Sequence, residues 1–96
     1  MSQGEYQKEI AEYWESHIIP SLTEYIEIPA KSPHFDSKWK ENGYIDQALS
    51  LVEKWIEDRQ IPNLKKEVLQ VEGRTPLLLL ELEGTLDYEV LMYGHL

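Results

Sequence analysis

The spacing of apolar residues changes at Pro62, and this change orders the fold: helices come before that point and strands after it. From Glu5 to about Glu27, the residues Tyr6, Ile10, Tyr13, Ile18, Leu22 and Tyr25 recur at three- to five-residue steps with charges between them, the pattern of an amphipathic helix. Pro20 has no N–H for the Ser16 carbonyl and its ring crowds that carbonyl, so the helix should kink or divide there. Ser21 and Glu24 have the spacing of a capping box that would start a second helix after the break. A second helix is expected along the face made by Ile45, Ala48, Leu49, Val52 and Ile56, widened by Leu51 and Trp55 and ending near Gln60. Between the two helices, Ile28 to Gly43 is dense in turn formers and reads as a long ordered loop.

Beyond Pro62 three short β-prone runs follow, Lys66 to Val71, Leu77 to Glu83 and Tyr88 to Tyr93. The turns between them are Gly73-Arg74-Thr75-Pro76 and Gly84-Thr85-Leu86-Asp87. Leu77 to Leu80 and Val90 to Met92 are apolar on both faces, as strands covered by helices on both sides are. The expected class is therefore α/β, with two helical segments and about three strands. Two helices do not cover both faces of three such strands, and the last run gives way to a turn at Tyr93-Gly94-His95-Leu96. Both features read as the N-terminal part of a larger domain, cut off at its C-terminal end. The alternative is a complete small protein whose final strand lies at a sheet edge.

With 18 acidic against 9 basic residues and a net charge of −9, the chain lacks the excess of Lys and Arg that binding to nucleic acid or an anionic membrane requires. There is no cysteine, so a disulfide framework and a thiolate metal site are both excluded, and any metal must be held by His, Asp or Glu. No apolar run approaches the ~20 residues of a membrane span, and the N-terminus is acidic rather than basic and then apolar. These features read as a soluble, cytoplasmic protein.

His95 is the candidate site residue. It stands at the carboxyl end of an expected buried strand, where open α/β sheets form their ligand sites, and Gly94 before it permits a sharp turn. A neutral imidazole is a good zinc ligand, but a catalytic zinc takes about three protein ligands, and by spacing alone a lone strand-end His is more often structural or exposed. The surrounding residues add to this. Val90-Leu91-Met92-Tyr93-Gly94-His95-Leu96 resembles the first metal motif of the aminoacylase and carboxypeptidase zinc hydrolases, the M-twenty metallopeptidase family, in which an apolar strand runs into Gly-His-x-Asp. Ile26 to Asp36, Trp39, Asn42-Gly43-Tyr44 and Val71 to Pro76 look like a peptidase branch of the same family, so the likeness extends over most of the chain.

The resemblance implies a three-layer zinc-peptidase catalytic domain of the phosphorylase/hydrolase-like kind. Residues 1–96 would be a partial form of that domain, without the smaller lid domain. It implies a parent enzyme with two zinc ions that cleaves amide bonds of dipeptides or acyl amino acids. His95 would be a ligand of one zinc, and the bridging Asp and the general base would lie outside these residues. The isolated segment would then be inactive and bind zinc weakly, and its uncovered apolar faces would favour self-association.

The other candidates have simpler readings. His34 in the Ser-Pro-His-Phe-Asp loop either lines a site entrance or is an exposed loop residue, and His17 reads as a helix-surface His. Arg74 either anchors a substrate carboxylate or is a polar turn residue. Glu24 and Glu27, and Glu53 and Glu57, fall at helical spacings and read as solvated faces. Trp14, Trp39 and Trp55 have no interleaved basic residues of the kind a stacking platform for phosphate-bearing ligands requires, and read as packing residues. The rival to the enzyme reading is a small acidic interaction module that presents Phe35 and Trp39 from the Ile28 to Gly43 loop.

Overall fold

The computed structural model describes residues 2–96. The first helix, α1, spans Gln3–Tyr13 and opens on a capping box: the Ser2 hydroxyl accepts from the Glu5 N–H at 3.2 Å, and the Glu5 carboxylate accepts from the Ser2 N–H at 3.4 Å. A π-helical stretch, Trp14–Ile18, leads directly into α2, Ile19–Glu27. The π register answers the problem set by Pro20. The Ile19 N–H reaches back five residues to the Trp14 carbonyl, and the chain passes the proline in the first turn of α2, where a missing N–H is tolerated. The helix thus divides at the expected place without breaking. Ser21 does not cap a new helix, because its hydroxyl donates to the His17 carbonyl at 2.9 Å.

The loop after α2 contains a short helix, α3, at Trp39–Asn42, and is pinned by Asp36, whose carboxylate accepts from the Lys38 N–H at 3.0 Å and the Asn42 side-chain amide at 2.9 Å. Gly43 then takes φ +71°, a left-handed conformation that costs glycine little, and turns the chain from α3 into α4, Tyr44–Arg59. The buried residues among those described, Ala48, Leu49 and Ile56, all lie on α4, along the stripe its periodicity anticipates.

Strands β1, Leu64–Leu69, and β2, Leu77–Leu82, form an antiparallel hairpin in which Leu64 faces Leu82 and Leu69 faces Leu77. Lys66 hydrogen-bonds the Glu53 carboxylate and lies 3.1 Å from that of Glu57, so the hairpin is fastened to α4 by a cation between two acids. The Lys66 and Glu53 side chains are only 23% and 24% exposed. The hydrogen bonds to Glu53 and then Glu57 hold the Lys66 ammonium above the usual lysine range, against a smaller opposing effect of desolvation.

At the coarse level the chain mixes helix and strand as expected. Two details differ. Tyr88 to Tyr93 is not a strand: it has no ladder partner, and a strand exists only through its neighbours. The Leu77 to Leu80 run is not covered on both faces among the described residues; Leu77 is 55% and Leu80 43% exposed. The radius of gyration, 16.5 Å, accordingly exceeds the ~13 Å of a compact chain of this length. No helix among the described residues is long and apolar enough to cross a membrane.

Leu49→Ala should cost about 2–4 kcal/mol in urea unfolding, whereas Leu91→Ala, at a position 91% exposed, should cost less than about 0.5 kcal/mol. Because the Lys66 pKa is raised on folding, its contribution is complete below the unfolded lysine pKa and disappears as pH rises through the higher folded value. The stability difference between wild type and Lys66→Met should therefore stay level from neutral pH to about pH 10 and shrink above it, as read from urea melts across that range. A difference that shrinks instead toward neutral pH would remove the ion bridge as its source.

Candidate functional site

His95 lies in the irregular segment that follows β2. From Glu83 onward every residue is exposed, and Val90, Leu91, Met92 and Tyr93 are 77%, 91%, 88% and 80% exposed. The His95 Nε2 is 2.9 Å from the Tyr93 hydroxyl, with the rings edge to face at 5.1 Å. Gly94 is not in the left-handed conformation, which among the glycines is taken by Gly43 and Gly73.

The end of the segment reaches the helices. His95 and Leu96 line one side of a cavity of about 250 Å³ between α2 and α4, whose wall is almost wholly apolar: Ile18, Leu22, Tyr25, Leu51, Val52 and Trp55, with Ser21 as the polar exception. The Arg59 guanidinium stacks over the Trp55 ring at 4.1 Å, and both the Trp55 Nε1 and the Arg59 Nε are buried without a hydrogen-bond partner.

A zinc centre is tested by its donors. His95 brings one imidazole, its Nε2 is already engaged by Tyr93, and no group of three His, Asp or Glu side chains suited to a metal occurs among the described residues. A catalytic zinc needs about three protein donors, so these residues do not form one by themselves.

The other candidates fall apart from one another. His17 is exposed on the π-helical stretch, stacked on Tyr13 at 4.5 Å, with its Nδ1 2.6 Å from the Ser16 hydroxyl. The Ser16 hydroxyl is also within 2.7 Å of the Glu12 carbonyl, to which it donates. His34 is exposed in the loop against Phe35, with ring centroids 5.0 Å apart, and Arg74 sits in the hairpin turn, its N–H bonded to the Val71 carbonyl. Glu24 and Glu27 are exposed, as expected for a solvated face. Glu53 and Glu57 are not merely that, since they flank Lys66. The signal for this bridge was present in the acidic i, i+4 pair on α4 and in the Lys65-Lys66 start of the next element, but only the hairpin's docking shows which lysine meets the pair.

No protein-family model matches the chain, and no curated protein matches it.

With no group of three metal-binding side chains among the described residues, zinc titration of the chain should show no saturation below about 1 mM, and His95→Ala should change the isotherm little. A saturating site at micromolar zinc that His95→Ala removes would mean that the donors assemble in a way this structure does not contain.

Proposed function

We propose that the chain is the N-terminal part of the catalytic domain of a zinc-dependent hydrolase that cleaves amide bonds of dipeptides or acyl amino acids, with His95 as one metal ligand. One observation carries the reading: the apolar run Val90 to Tyr93 is unpaired and almost fully exposed, and it leads into Gly94-His95. A sequence of this kind is suited to the interior of a sheet, and in open α/β sheets a ligand placed just past such a strand stands at the site. The uncovered faces of α1, the π-helical stretch and β2 support the same reading, since Tyr6, Ile10, Trp14, Leu77 and Leu82 are exposed as a larger domain's buried surfaces would be if that domain were incomplete. The other zinc ligands and the general base belong, on this reading, to other parts of the parent enzyme, and the 96 residues alone are inactive. The absence of cysteine fits a cytoplasmic enzyme.

A second reading is favoured by the loop. Asp36 orders it, and Phe35 is 77% exposed at its tip, as a docking residue of an acidic interaction module would be.

The two readings separate in one assay. The complete gene product is tested against a panel of dipeptides and acyl amino acids, with zinc and after chelation, beside His95→Ala. The hydrolase reading expects zinc-dependent turnover that falls by at least about 100-fold in the variant. Turnover indifferent to His95, or none at all, leaves the interaction module.

A further inference from the structure

We draw no further inference here: the strongest candidate, the open cavity between α2 and α4 bordered by Tyr25, Trp55 and His95, has an almost wholly apolar wall, and nothing in the structure shows what fills or covers it.

Discussion

The fold hangs on one face of one helix. Ala48, Leu49 and Ile56 of α4 are the buried residues among those described, and α2, α3 and the hairpin all meet that helix. With so little apolar surface removed from water, cohesion depends on how each neighbour is attached: α2 through the side chains around the α2–α4 cavity, α3 through the left-handed turn at Gly43, and β1 through Lys66. The lysine bridge differs in kind from the other two. It places an ammonium between two carboxylates at an interface with little apolar cover, where its aliphatic stem can pack and its head stays paired.

The same shortage of burial explains the surface. Leucine-rich β2, the Val90 to Tyr93 run and the outer faces of α1 and α2 together expose far more large apolar residues than the three that are enclosed. Isolated exposed leucines are ordinary, but contiguous strands of them are not, and they mark surfaces built to be covered. On the proposed reading, further parts of a hydrolase domain would cover them.

His95 shows how the placement of a residue limits its chemistry. An imidazole at the end of an apolar run is a credible metal ligand, yet a ligand acts only in company, and here its near neighbours are a tyrosine hydroxyl and an apolar cavity wall. The carboxylates are spread over the helices, the loop, the hairpin and the Glu83 to Glu89 stretch, and among the described residues they form no group of three with a histidine that could hold a metal. The proposed hydrolase function therefore rests on a strand and a motif rather than on an assembled centre.

Local features were legible in the sequence because they depend on residues close together along the chain. The apolar spacing of α4, the division of the first helix before Pro20, the turn formers of the Ile28 to Gly43 loop and the two hairpin strands each follow from periodicity or from a proline or glycine with a restricted conformation. Tertiary structure alone decided the rest. A β-prone run becomes a strand only when a partner lies beside it, so Tyr88 to Tyr93 stayed unpaired. Acidic side chains that look like a solvated face become a clamp only when a distant lysine is brought between them, as Glu53 and Glu57 are by Lys66. Spacing along the chain specifies the first kind of feature, whereas the second depends on residues far apart in sequence that meet only when the elements pack.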